Sequence, residues 1–151
     1  MRNLLITILS LVSPFAFADV PGDADDTQPL ETGNRVPSVE LQTVKGETVN
    51  LAAQVFRKPS VIIFYRGSWC PYCNTHLASI VEIEDDLKTL GYQVLAISPD
   101  KPENLKEAIE ENDLGYMLLS DSSAEAAKAF GLAFKVGAAT RTLYKGYGID
   151  L

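Results

Sequence analysis

The stretch from Ser60 to Cys73, SVIIFYRGSWCPYC, decides the fold class. Ser60 to Tyr65 is a β-branched and aromatic run without alternation, which predicts a strand covered on both faces. From Pro71 to Leu90 the apolar residues Leu77, Ile80, Val81, Ile83, Leu87 and Leu90 recur at helical spacing, and the acids Glu82, Glu84, Asp85 and Asp86 read as the solvated face of that helix. Pro71 suits the first helical position, where its missing N–H costs nothing and its fixed φ is already helical. Cys70 therefore stands at a strand-to-helix junction, where unpaired N–H groups and the positive end of the helix dipole favour a thiolate.

Downstream, Gln93 to Ser98 reads as a second buried strand, and Pro102 to about Glu111 as a helix opened by its proline. Tyr116 to Leu119 reads as a third strand. Ser122 or Ser123 is the expected cap of an Ala-rich helix that runs to Phe130 and stops at Gly131. Upstream, Val39 to Val44 and Thr48 to Leu51 flank the turn signal Lys45-Gly46-Glu47, predicting a β-hairpin followed by a short helix near Ala52 to Phe56. Alternating strands and helices give an α/β domain, with an N-terminal β-hairpin and parallel core strands joined by right-handed crossovers.

The outer segments divide the rest. Arg2, the apolar run Leu4 to Val12 and Ala16-Phe17-Ala18 form the pattern of a secretory signal peptide, residues 1–18. The run is short of the ~20 residues that a membrane-spanning helix needs, and Pro14 follows it. Cleavage after Ala18 would deliver the chain to the periplasm or outside the cell, where disulfides persist. Residues 19–34 contain four Asp, two Gly and two Pro and read as a flexible acidic linker, leaving residues 35–151 for the domain.

The chain carries 13 Lys plus Arg against 20 Asp plus Glu, a net charge of −7, with no basic stripe for nucleic acid or anionic lipid. Its two cysteines are too few for a disulfide scaffold or a four-thiolate zinc site. Cys70, Cys73 and His76 are spaced as a series of metal ligands. Six residues of helix turn His76 about a third of a turn away from Cys70, so His76 reads as a solvated helix residue.

The pair is thus read as redox-active, Cys70 as the nucleophile and Cys73, one helical turn on, as the resolving thiol. Pro71 and Tyr72 would tune the potential. Arg66 would bring positive charge toward the thiolate or else form a surface ion pair. Trp69 would offer an apolar shelf to a partner or else pack against the helix.

The segment Phe64-Tyr65-Arg66-Gly67-Ser68-Trp69-Cys70-Pro71-Tyr72-Cys73 resembles the thioredoxin superfamily, and more closely its alkyl hydroperoxide reductase and thiol-specific antioxidant branch of peroxiredoxin-like redoxins. Val36 to Leu41 with Gly46, Val49 and Leu51 is similar to that branch's entry hairpin, and Val94 to Asp100 and Leu118 to Asp121 to its second and third core strands. The resemblance covers about Val36 to Leu132. It implies a thioredoxin-like fold, no metal or organic cofactor, a thiol, disulfide or peroxide substrate, and a thiol reductant.

Two departures accompany it. Peroxiredoxins carry Pro, three residues, Thr or Ser, two residues, then the peroxide-attacking Cys; laid on Cys73, that pattern meets Arg66 and Cys70. No Pro occurs after Pro102, so the cis-proline loop and C-terminal antiparallel hairpin that the resemblance implies are expected to be missing from a shortened chain. Residues 132–151 are read as a loop toward that element.

Three functions follow. The leading expectation is an exported thiol-disulfide oxidoreductase led by Cys70. The second is a peroxiredoxin-like thiol peroxidase in which Cys73 attacks peroxide and Cys70 resolves. The third is a non-catalytic module that binds a metal or a partner.

Overall fold

The computed structural model describes residues 19–149, so the leader expected in residues 1–18 lies outside the described residues. The domain elements are β1 (Glu40–Thr43), β2 (Thr48–Asn50), α1 (Leu51–Arg57), β3 (Ser60–Phe64), α2 (Pro71–Thr89), β4 (Gln93–Ser98), α3 (Pro102–Asn112), β5 (Met117–Ser120), α4 (Glu125–Ala129) and α5 (Ala138–Gly146). The sheet order is β2-β1-β5-β4-β3. The β1–β2 and β1–β5 pairs are antiparallel, whereas β4 pairs in parallel with both β3 and β5. This is the hairpin plus parallel core expected from the sequence. Among the described residues no antiparallel hairpin follows α4, and no helix is long and apolar enough to cross a membrane.

Side chains alternate across each strand, so β4 feeds two cores. Val94 and Ala96 join Leu77, Leu105, Ala108 and Leu118 on the side of α2 and α3. Leu95 and Ile97 join Leu41, Leu51, Leu119 and Ala126 on the side of α1 and α4. The result is three layers with β4 at the centre. β3 divides in the same way, Val61 and Ile63 packing on the first core and Ile62 and Phe64 on the second, as a strand covered on both faces should. β3 also stands at one end of the strand order, so the strand leading to the cysteines is an edge among the described residues.

Four expectations are corrected. Ile83 and Leu90 are exposed, and Glu84, assigned to the wet face, is buried. Glu84 lies two turns from Leu77 on the same stripe, its carboxylate fills the space beside Gly115, and Lys88 pairs with it at 2.9 Å. Neither Ser122 nor Ser123 caps α4. Ala124 at φ 57° occupies the cap position, and the Asp121 carboxylate accepts from the Ala126 and Ala127 N–H groups at 2.9 and 2.8 Å. Residues 138–146, read as loop, form α5; Gly137 occupies its N-cap and Gly146 its last turn, so glycines bound the helix instead of interrupting it.

Residues 19–34 contain one short 3₁₀ turn, Ala24–Asp26, and contacts that composition does not reveal. Leu30 N–H donates to the Phe130 carbonyl at 3.1 Å, and Lys135 N–H to the Pro21 carbonyl at 2.8 Å. Gly131, at φ 67°, permits the close approach, because a Cβ there would collide with the Gln28 carbonyl.

Candidate active site

The ladder of β3 ends as Tyr65 N–H donates to the Ile97 carbonyl at 3.0 Å, and the chain turns through residues 66–69 into α2. Gly67 makes that turn possible. Its φ is 146°, and a Cβ would lie 2.5 Å from the Trp69 indole nitrogen.

Asp100, just beyond β4, holds the loop from behind. Its Oδ2 accepts from Ser68 N–H at 2.7 Å and from the Ser98 hydroxyl at 3.0 Å, while its carbonyl accepts from the Ser120 hydroxyl at 2.6 Å. Asn74 adds a strut, its Nδ2 donating to the Ser68 carbonyl at 2.9 Å. Asp100 had no assigned role in the sequence, although a polar residue just past a buried strand was the available signal. Asp100→Ala should lower stability by about 2 kcal/mol in urea unfolding, because Ser68 N–H and the Ser98 hydroxyl lose a charged acceptor. Asp100→Asn should cost less, since its amide oxygen still accepts. Equal losses for the two variants would count against this role.

Cys70 is the N-cap of α2, and its sulfur accepts from the Cys73 N–H at 3.4 Å. Pro71 occupies the first helical position. Arg66 Nη2 donates to the same sulfur at 3.0 Å. Both cysteines are free; Cys70 is 0% exposed and Cys73 is half-buried.

Burial pushes the Cys70 thiol up, but hydrogen bonds from the Cys73 thiol, the Cys73 N–H and Arg66 outweigh it and hold Cys70 below the ordinary thiol value. Cys73 moves the opposite way, raised by burial and by donating its S–H to Cys70, with a restraining pull from the Arg66 N–H and side chain. Of the two sulfurs, Cys70 is therefore the one that ionises first, with Cys73 keeping its proton beside it. Arg66 is held in its charged form, chiefly by donating to Cys70.

Arg66 serves the sulfur and not a surface ion pair. Among the described residues no carboxylate lies within ion-pair distance of it. The Trp69 ring lies 5.2 Å below its guanidinium carbon and meets the Tyr144 ring edge-on at 5.4 Å. Tyr144 was missed because α5 was read as loop. Tyr72 is 83% exposed and makes no hydrogen bond to either cysteine. His76 is exposed on α2, and among the described residues no group of three metal-ligating side chains is present. The Tyr65 hydroxyl is buried without a hydrogen-bond partner in the core against which Cys73 packs, and burial pushes it up to about 12.

The family model of the AhpC/TSA family matches residues 32–145, from the end of the acidic segment to the last turn of α5. This chain belongs to the AhpC/TSA family. Peroxiredoxin Bcp of Escherichia coli is 35% identical over 105 residues, covering 69% of this chain and 66% of that protein. Peroxiredoxin Bcp of Bacillus subtilis is 30% identical over 101 residues, covering 67% and 64%. The chain thus spans just under two thirds of the length of these relatives. The crystal structure of peroxidoxin BcpB from Mycobacterium tuberculosis superposes with a TM-score of 0.63 at 24% identity, covering 68% of this chain and 66% of that one, and shares the thioredoxin-like fold.

Within this AhpC/TSA chain, the match extends past Leu132, where the resemblance read from sequence ended, and takes in α5. Where a Thr or Ser hydroxyl was expected, Cys70 places a sulfur acceptor in contact with Arg66.

Proposed function

We propose that this AhpC/TSA chain is a thiol-dependent peroxide reductase in which Cys73 attacks the peroxide and Cys70 resolves the product. The observation that carries this reading is the division between the sulfurs. Cys70 is the sulfur favoured to ionise first but is 0% exposed, whereas Cys73 is favoured to keep its proton and is partly open. The names of its relatives, peroxiredoxins, favour the same chemistry.

The steps balance. The Cys73 proton passes to the Cys70 sulfur, leaving a Cys73 thiolate within reach of the Arg66 side chain. That thiolate attacks one peroxide oxygen and the O–O bond breaks, giving a Cys73 sulfenic acid and an alkoxide or hydroxide that takes a proton from water. The Cys70 thiol then attacks the sulfenic sulfur, water leaves, and a Cys70–Cys73 disulfide remains for an external thiol to reduce. The signal-peptide pattern of residues 1–18 supports an address outside the cytosol, and there such a disulfide would persist until that reductant meets it.

A second reading, thiol-disulfide exchange led by Cys70, is favoured by the position of that sulfur at the helix N-terminus. Trapping of sulfenic acid after peroxide treatment separates the two. The peroxidase reading expects a trapped sulfenate on Cys73 in the Cys70→Ser chain and none in Cys73→Ser. Mixed disulfide on Cys70 in Cys73→Ser, with no sulfenate in Cys70→Ser, would overturn it.

A further inference from the structure

Arg66 is an exposed side chain with many available rotamers, yet it is held in one. Its Nη2 meets the Cys70 sulfur at 3.0 Å and its Nη1 donates to the Tyr144 hydroxyl at 3.1 Å. Trp69 closes the triangle, 5.2 Å from the Arg66 guanidinium carbon and 5.4 Å from the Tyr144 ring centroid. Each of the three side chains touches the other two. The helix that supplies the third has little else to hold it: no residue of α5 is buried, Leu143 is 58% exposed, and Tyr144 is its only half-buried side chain.

We propose that Tyr144 is a positioning residue, which fixes the Arg66 guanidinium against the Cys70 sulfur and thereby makes α5 part of the reactive-thiol machinery. The reading rests on Cys70 as the anionic sulfur. A guanidinium that wanders leaves the anion with only the helix N–H to hold it, whereas one clamped between a hydroxyl and an indole face is already aimed when the thiol ionises. The contact is reciprocal, because the anion that draws Arg66 inward also presents Nη1 to Tyr144 and docks α5. The groups that face the sulfurs are Arg66 from the loop, the neighbouring Cys73 thiol and N–H of α2, and Tyr65 at the end of β3; Asp100 lies behind the loop, and Tyr144 enters from α5.

The test is the pH dependence of thiol alkylation in the full chain, in wild type, Tyr144→Phe, Arg66→Gln and the double variant. Tyr144→Phe keeps the ring on Trp69 and removes only the hydroxyl. It should raise the first thiol pKa by about half a unit, slowing alkylation about threefold on the acid limb. Arg66→Gln should raise it further. The double variant should match Arg66→Gln alone, because Tyr144 acts through Arg66. Tyr144→Ala should in addition shift the emission of Trp69, the only tryptophan in the chain, as it loses its edge contact.

A Tyr144→Phe profile that superimposes on wild type, or shifts that simply add in the double variant, would overturn the inference and leave the peroxidase reading intact. A wild-type profile like that of free cysteine would instead remove the thiolate on which both depend.

Discussion

Peroxide consumption by the Cys73→Ser chain should fall at least about a thousandfold, to the background of the added reductant, because serine at that position is not a nucleophile at neutral pH. Cys70→Ser should keep a single turnover per chain and lose steady-state turnover, since the sulfenic acid then has no partner. The wild-type pH profile carries the sign of the shifts. Cys70 ionises below the ordinary thiol value and Cys73 above it, so the pair carries one charge across the interval between the two ionisations. Activity should therefore be flat across that interval. It should fall about tenfold per pH unit below the first ionisation, where neither sulfur is charged. A stopped-flow series against pH measures it. A profile centred near the free-cysteine value of about 8.5, or a Cys73→Ser chain that keeps a tenth of the wild-type rate, would refute the assignment.

Much of this site was legible because its strongest signals are local. The β-branched run before Cys70 and the proline after it specify the strand and helix between which the sulfur sits, and Arg66 is only four residues from Cys70. The parts that were not legible come from distant chain. Tyr144 reaches Arg66 across 78 residues and Asp100 reaches Ser68 across 32, and no periodicity or spacing encodes either meeting. The glycines at positions 137, 146 and 148 argued for loop because glycine weakens a helix interior, yet they lie at or beyond the ends of α5. Glu84 was misplaced for a related reason. Its charge argued for solvent, but its position, seven residues after Leu77, puts it on the buried stripe, where Gly115 leaves room and Lys88 supplies the counter-charge. Residue type and helical position disagreed there, and position won.

Leu77→Ala should cost about 3 kcal/mol in urea unfolding of the dithiol protein, a large share of the roughly 5–15 kcal/mol that holds a domain of this kind together. Leu77 is 0% exposed and is the one fully buried apolar side chain of α2, with Ile80, Val81 and Leu87 packed partly buried on the same core, so it is the central apolar anchor of the helix that begins with both cysteines. The hydrogen bond from the Tyr116 hydroxyl to the Leu77 carbonyl, 2.8 Å long, involves main chain and survives the substitution, which leaves the cavity and the lost packing as the cause. Leu77→Met, nearly equal in volume, should cost under about 1.5 kcal/mol. The first thiol ionisation should move little in either variant, because Arg66 and the Cys73 N–H, with the loop held by Asp100 and Asn74, set it at the end of the helix. Stability and thiol acidity would then separate: Leu77 secures α2 to the sheet, while the Arg66 cluster governs the charge at its tip. A Leu77→Ala chain that loses less than about 1 kcal/mol, or whose thiol pKa rises as far as that of Arg66→Gln, would show that the two are not separable.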